Sequence, residues 1–161
     1  MRAGWRWRVT EAAEDGGVRI ALLVARFNSM ITEQLLTGAR DRLIAEGVPE
    51  DRIAVFRVPG AWELPQAARR IANSDRFDVI VAIGCVIRGE TSHFDYVAGN
   101  ASDGLGQVAL TADIPVVFGV LTTENAEQAM SRCDVYGTNR GSEFAEAALA
   151  MIEFRDSLGN A

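Results

Sequence analysis

The sequence has 161 residues, a length that fits one packed domain. Hydrophobic residues make up 48% of it and charged residues 24%, which is typical of a globular protein and excludes a disordered or coiled-coil chain. The longest apolar runs, residues 20–25 and 79–87, are far shorter than the roughly 20 residues that cross a bilayer. We therefore expect a folded domain with no membrane partner.

The ionisable residues exclude several classes of function. There are 16 basic and 22 acidic residues, so the net charge is −6 and a nucleic acid partner is not expected. Every basic residue is arginine, which excludes a protein-derived Schiff base, pyridoxal phosphate attachment and a P-loop lysine. Any amine needed for carbonyl chemistry must then come from a substrate.

The sulfur and imidazole groups indicate neither a metal site nor a disulfide framework. Cys85 and Cys133 form no CxxC motif, and His93 is the single histidine, so a structural zinc site lacks ligands. Free thiols are typical of a reducing compartment, and no signal peptide is recognisable at the N-terminus. These features predict a cytoplasmic protein without a bound metal.

In chain order, predicted strands alternate with predicted helices. Apolar, β-branched runs predict the strands, which fall at residues 19–25, 53–58, 77–83 and 115–121. Apolar residues at helical spacing predict the helices, which fall at residues 29–46, 63–73, 94–108, 124–131 and 142–158. Four βα units in series predict an α/β fold, a three-layer α/β/α sandwich around a flavodoxin-like, four-stranded parallel sheet.

The loops that follow the strands are the expected position of a functional site, because such sheets bind ligands beyond the carboxyl ends of their strands. These loops fall at residues 26–28, 59–63, 85–93 and 121–125. A different region, Gly104 to Ala109, matches the dinucleotide fingerprint G-x-G-x-x-A. No predicted strand precedes that match and it lies within a helical period, so its small residues indicate close helix packing instead.

His93 stands at the start of the third long helix, directly after Glu90, Thr91 and Ser92. Backbone N–H groups and the helix dipole favour an anion at such a position. An imidazole there would be an acid/base beside a bound phosphate, although a lone histidine is more often structural. The sequence leaves both interpretations open.

Other residues of these loops have a functional and a structural interpretation. Glu63 would bind hydroxyl groups or only compensate a helix dipole, and Phe27 would stack on a planar ligand or only close the core. Arg132 and Arg140 flank a polar loop and would bind a phosphate or simply lie at the surface. Cys85 follows an apolar strand and is expected to be unreactive.

Five blocks of the sequence resemble one known family. They are RFN at 26–28, VPGAWELP at 58–65, GCVIRGETSHFDYV at 84–97, FGVLTTEN at 118–125 and NRG at 139–141. In this order and spacing they resemble the 6,7-dimethyl-8-ribityllumazine synthases, over about residues 19–154. The resemblance implies the condensation of 5-amino-6-(D-ribitylamino)uracil with 3,4-dihydroxy-2-butanone 4-phosphate, the penultimate step of riboflavin biosynthesis. Phosphate and water are released, and no cofactor or metal is implied.

The resemblance also implies a role for each matching residue. His93 would be the acid/base. The pyrimidine and its ribityl chain would contact Phe27, Ala61, Trp62, Glu63, Cys85, Val86, Ile87 and Phe118. The phosphate-bearing substrate would contact Glu90, Thr91, Arg132 and Arg140. Phe118 and Arg132 would come from a neighbouring subunit. Two positions depart from the family pattern, since Arg140 replaces a usual lysine and Trp62 replaces a smaller aromatic residue.

Family members are homo-oligomers, which implies a pentamer here, or a multiple of pentamers up to 60 subunits, and a riboflavin synthase as a further partner. Residues 1–18 would form an extension that adds a strand to a neighbouring sheet, and residues 19–158 would form the synthase domain. Three alternatives remain: a non-catalytic flavin- or lumazine-binding protein, a shell-forming scaffold, and an ordinary flavodoxin-like nucleotide domain.

Overall fold

A computed structural model describes residues 17–159, in which four strands alternate with five helices. The strands are β1 (Ile20–Ala25), β2 (Ile53–Val58), β3 (Val79–Ile87) and β4 (Val116–Thr123). The helices are α1 (Ser29–Ala45), α2 (Leu64–Ala72), α3 (His93–Thr111), α4 (Ala126–Cys133) and α5 (Arg140–Gly159). Short 3-10 turns at Glu50–Arg52 and Ala61–Glu63 precede β2 and α2. Each of the predicted strands and helices is present.

The four strands form one parallel sheet in the order β2-β1-β3-β4. Ile20 of β1 pairs with Ile53 of β2 on one side and with Val79 of β3 on the other. The central strands β1 and β3 are apolar and almost completely buried, as parallel strands covered on both faces must be. The strand order reverses direction between β1 and β3, which opens a crevice beyond their carboxyl ends.

Alternate side chains of the central strands enter two separate cores. Ile20 and Leu22 face the layer formed by α1, α4 and α5, whereas Ala21 and Leu23 face the layer formed by α2 and α3. Full burial of each such leucine or isoleucine contributes about 1.5–3 kcal/mol relative to leaving it exposed. The three-layer α/β/α sandwich predicted from the sequence is therefore confirmed.

Glycines allow two pairs of helices to approach closely. A Cβ atom at Gly141 of α5 would overlap the carbonyl oxygen of Leu35 in α1. A Cβ atom at Gly104 of α3 would lie 2.7 Å from the ring of Pro65 in α2. Gly104 belongs to the apparent dinucleotide fingerprint, which lies inside α3 and follows no strand. The interpretation of this segment as a helix-packing surface is confirmed.

The two predicted boundaries at the carboxyl ends of β3 and β4 were wrong. The third strand continues from residue 83 to Ile87, and the fourth from residue 121 to Thr123, because Val86 pairs with Thr122 and Ile87 pairs with Thr123. Cys85, Val86 and Ile87 therefore belong to β3 and not to the loop predicted over residues 85–93. β-Branched residues on both strands favour this extension.

Helix α4 begins at Ala126, two residues later than predicted, because the Asn125 side chain accepts a hydrogen bond of 2.9 Å from the Gln128 N–H. The predicted N-terminal extension, residues 1–18, lies outside the described residues except for residues 17 and 18. Among the helices of residues 17–159, none combines the length and the hydropathy needed to cross a membrane.

Candidate active site

A cavity of about 550 Å³ lies at the carboxyl ends of the strands, a size that suits a small organic ligand. It is lined by Phe27, Gly60, Ala61, Trp62, Glu63, His93, Tyr96 and Val97. Five of these residues were predicted from the sequence as site residues. They come from the loop after β1, the turn after β2 and the first turns of α3, so the fold brings together three distant segments.

Phe27 forms one wall of the cavity. Its backbone N–H donates a 2.9 Å hydrogen bond to the Pro59 carbonyl, which holds the loop after β1 against the loop after β2. The ring rests on Gly60, where a Cβ atom would lie 2.5 Å from the ring carbon Cδ2. The residue is 67% exposed, so the ring does not close the core and instead lines the cavity.

The carboxylate of Glu63 is fixed at the second wall by its own turn. Glu63 Oε2 accepts a 3.0 Å hydrogen bond from the Gly60 N–H, and the Glu63 N–H donates to the Gly60 carbonyl at 3.3 Å. The neighbouring Trp62 carbonyl accepts a 3.1 Å hydrogen bond from the Asn100 side chain of α3. The turn is thereby attached to α3, and a carboxylate acceptor lies beside two exposed aromatic rings, those of Phe27 and Trp62.

Asn28 connects the two strands that border the crevice. Its φ of 58° is in the left-handed region, which asparagine tolerates better than most residues. The side-chain amide donates a 2.8 Å hydrogen bond to the Cys85 carbonyl of β3 instead of capping α1. This bond fixes the turn that presents Phe27. This role was not predicted, although an asparagine three residues after a strand was an available signal.

His93 is the first residue of α3, and its side chain lines the cavity. Tyr96 and Val97 follow it by three and four positions and line the same cavity, because such residues share one face of a helix. Neither was predicted. Their spacing from His93 within a helix was the signal that would have identified them.

Glu90 and Thr91 lie in the exposed loop between β3 and α3 and do not line the cavity themselves. The Thr91 hydroxyl oxygen is 3.4 Å from the backbone nitrogen of His93. The N–H groups of the first turn of a helix have no partner within the helix, so this end of α3 favours an anion. The loop is thus next to the cavity, where the helix N-terminus favours an anion while Glu90 and Asp95 add negative charge.

The three predicted residues on β3 are not part of the cavity wall. Cys85 and Val86 are buried, and Ile87 is half-buried. Burial, assisted by the nearby Cys133, raises the pKa of the Cys85 thiol to about 11, so the thiol is protonated at neutral pH. Both cysteines are free. This agrees with the prediction that Cys85 is unreactive and leaves only its backbone for a contact with a ligand.

Three further predicted residues lie away from His93 in the same chain. Phe118 is 44% exposed on the edge strand β4. Arg132 is in the last turn of α4, where its guanidinium donates a 2.9 Å hydrogen bond to the Gln128 carbonyl. Arg140 begins α5 and forms an ion pair with Glu143. The helices α4 and α5 pack on the opposite face of the sheet from α3, and none of Phe118, Arg132 and Arg140 lines the cavity of its own chain.

One comparison with known proteins bears on this site. A family model described as 6,7-dimethyl-8-ribityllumazine synthase matches residues 17–156, which includes each segment that forms the cavity.

Proposed function

The chain belongs to the 6,7-dimethyl-8-ribityllumazine synthase family, and we propose that it condenses 5-amino-6-(D-ribitylamino)uracil with 3,4-dihydroxy-2-butanone 4-phosphate. Membership in the family makes it a transferase of riboflavin biosynthesis that acts on small molecules. The observation that carries the proposal is the cavity itself, where an exposed aromatic ring, a fixed carboxylate and the only imidazole of the sequence meet at a helix N-terminus. The aromatic ring suits the pyrimidine, the carboxylate suits the ribityl hydroxyl groups, and the imidazole suits proton transfer between the two substrates.

The pyrimidine substrate would fit the part of the cavity formed by Phe27 and the turn after β2, which is separate from the loop that would bind the phosphate. The Phe27 ring would stack on the pyrimidine, since its face is open to the cavity. The Glu63 carboxylate would accept hydrogen bonds from ribityl hydroxyl groups, with Ala61 and Trp62 beside the chain. Backbone groups of Cys85, Val86 and Ile87 would contact the ring from the end of β3.

The phosphate of the second substrate would lie at the loop that contains Glu90 and Thr91, where the helix dipole of α3 favours negative charge. His93 would then be close to both substrates. The amine of the pyrimidine attacks the ketone, His93 accepts and returns protons, and phosphate and water leave. The nucleophilic amine belongs to the substrate, which is consistent with a sequence that contains no lysine.

A neighbouring subunit would complete the site. Phe118 on the edge strand β4 and Arg132 on α4 are partly exposed and do not line the cavity of their own chain, which suits a role in the cavity of an adjacent copy. Arg132 and Arg140 would bind the phosphate through charge-assisted hydrogen bonds. Arginine at position 140 in place of the usual lysine would change the affinity for phosphate without removing the charge.

We extend the proposal to the assembly, since the family implies an oligomer. It would be a pentamer or a multiple of pentamers up to 60 subunits, with residues 1–18 adding a strand to a neighbouring sheet. Riboflavin synthase is the proposed partner that would accept the product.

The experiment mixes both substrates with the purified protein and measures lumazine formation and phosphate release together. Equal, protein-dependent appearance of the two products is expected. His93→Ala should lower turnover about 10- to 10⁴-fold, which is the scale of acid/base catalysis, without changing the oligomer. If an oligomer binds the pyrimidine but forms no product, the proposal is wrong and the protein is a binding protein or a scaffold.

Arg132→Ala tests the contribution of the neighbouring subunit. It should mainly raise the KM for the butanone phosphate, because the lost contact is with phosphate, and leave the KM for the pyrimidine nearly unchanged. Steady-state titration of each substrate at saturation of the other measures the two constants. An unchanged KM for the butanone phosphate would contradict the role of Arg132.

A further inference from the structure

Arg88 is the first residue after β3, and its side chain joins three separate segments. Its Nε donates a 2.9 Å hydrogen bond to Glu124 Oε2, and its Nη1 donates a 3.1 Å hydrogen bond to Asp95 Oδ1. The guanidinium carbon also lies 4.2 Å from the centre of the Phe94 ring, a cation–π contact. These three contacts, with Asp95, Glu124 and Phe94, form what we call the Arg88 clamp.

The clamp holds both ends of the loop that leads to His93. The Arg88 backbone N–H donates a 2.9 Å hydrogen bond to the Thr123 carbonyl, which fixes the start of the loop against the end of β4. Phe94 and Asp95 directly follow His93 in the first turn of α3, which fixes the end of the loop. Residues 89–92 between these points are exposed, so the clamp, which fixes both ends of the loop, limits their conformations.

Glu124 also connects the clamp to α4. The Glu124 N–H donates a 3.0 Å hydrogen bond to the side chain of Gln128, and the Gln128 carbonyl accepts a 2.9 Å hydrogen bond from Arg132. A short series of bonds therefore runs from the first turn of α3 to the guanidinium of Arg132.

We propose that Arg88 is a positioning residue that holds the loop at residues 89–92 and the start of α3 in the conformation that binds a phosphate group. The proposal rests on the proposed function, which assigns the phosphate-bearing substrate to this loop. We assign Arg88 a positioning role because its guanidinium bonds two carboxylates and lies over the face of an aromatic ring, and Arg88 does not line the cavity. Its effect is transmitted through the backbone on either side of it.

Removing a carboxylate of the clamp distinguishes positioning from simple electrostatics. Glu124→Gln and Asp95→Asn each remove a negative charge near the phosphate loop, which by Coulomb's law alone would tighten the binding of an anion. If the carboxylate instead positions the loop, its loss should weaken binding and raise the KM for the butanone phosphate about fivefold, the scale of a partly exposed charged pair. Arg88→Gln should raise it at least as much. The KM for the pyrimidine should change by less than about twofold in these variants.

Glu127→Gln is the matched control. Glu127 lies in the first turn of α4, three residues after Glu124, and is not part of the clamp. Its removal deletes the same charge from the same region and should leave the KM for the butanone phosphate unchanged or slightly lower.

Two further readouts do not require turnover. Hydrogen exchange of the amides at residues 89–93 should be faster in Glu124→Gln and Arg88→Gln than in the wild type, with exchange in α1 unchanged. Binding of inorganic phosphate, measured by calorimetry, should weaken in the same variants. If the wild type forms no lumazine, the proposed function fails while these two measurements still decide the role of the clamp.

The proposal is overturned if Glu124→Gln binds phosphate more tightly, or if its exchange at residues 89–93 matches that of the wild type. It is also overturned if both KM values rise together by the same factor in every clamp variant, because a general loss of structure would have that effect.

Discussion

Replacing Gly60 with alanine would test whether the Phe27 ring forms the binding surface for the pyrimidine. The added Cβ atom would lie 2.5 Å from Phe27 Cδ2 and 3.0 Å from Cε2, whereas it would lie 3.5 Å from Glu63 Oε2. Carbon atoms in contact are ordinarily about 3.5–4.0 Å apart, so the ring must move by roughly 1 Å while the carboxylate stays in place. The backbone of Gly60 is extended, with φ of −150°, so alanine adds no backbone strain.

The displacement of the ring sets the size of the effect. Because Phe27 is largely exposed, the ring can move toward the cavity without disturbing the core, and the free energy of unfolding should change by less than about 0.5 kcal/mol. Loss of a well-placed aromatic contact costs about 1 kcal/mol, which corresponds to a roughly fivefold rise in the KM for the pyrimidine. The KM for the butanone phosphate should remain the same.

The assay combines steady-state kinetics with urea denaturation of the same variants. Gly106→Ala is the control, because a Cβ atom at Gly106 in α3 meets no atom within 4 Å. Gly60→Ala should add no further effect in a Phe27→Ala background, since the two changes act on one contact. The reasoning is refuted if the KM for the pyrimidine does not rise in Gly60→Ala, or if the effects of the two substitutions add.

Three other changes follow from the geometry. Gly141→Ala should lower the free energy of unfolding by about 1–3 kcal/mol in urea denaturation, because the new methyl group would overlap the backbone of Leu35. This overpacking outweighs the higher helix propensity of alanine. An unchanged denaturation midpoint would contradict the close helix contact. Asn28→Ala should destabilise the protein by about 1 kcal/mol more than Asn28→Gly. Both variants lose the hydrogen bond to β3, but only glycine adopts the left-handed backbone without strain. Equal losses of stability in the two variants would exclude backbone strain as the cause. The Cys85 thiol should react with thiol reagents at pH 8 only after unfolding. Because burial raises the pKa of Cys85 from an ordinary 9.0 to about 11, the unfolded chain loses this proton first, so stability should fall between pH 9 and pH 11 in the wild type and less steeply in Cys85→Ala.

The sequence predicted the order of strands and helices because the signals are local. Apolar runs such as that of β1 are long and uninterrupted, and each helix repeats its apolar residues at regular spacing. The end of β3 was predicted too early although the apolar run continues to residue 87, because beyond Ile83 the strand pairs only with β4, more than thirty residues later. Hydrogen bonds between distant segments leave no periodic pattern.

The candidate site shows the same division between local and distant signals. Phe27, Glu63 and His93 were identified because each lies within two residues of the end of a strand or the start of a helix. The need for glycine at position 60 depends on where the Phe27 ring rests, and the contact of Arg88 with Glu124 joins residues that are 36 positions apart. Contacts of this kind are visible only in the folded chain.

The sheet separates the helix that begins with His93 from the helix that contains Arg132. If each site takes its histidine from one subunit and its arginine from the next, two impaired variants should repair one another when their subunits are mixed. An equal mixture of His93→Ala and Arg132→Ala chains, unfolded and reassembled together at random, would contain intact sites at about one quarter of its subunit boundaries. The activity of such a mixed ring would then exceed that of either parent, and the gain would measure how far every subunit depends on its neighbour.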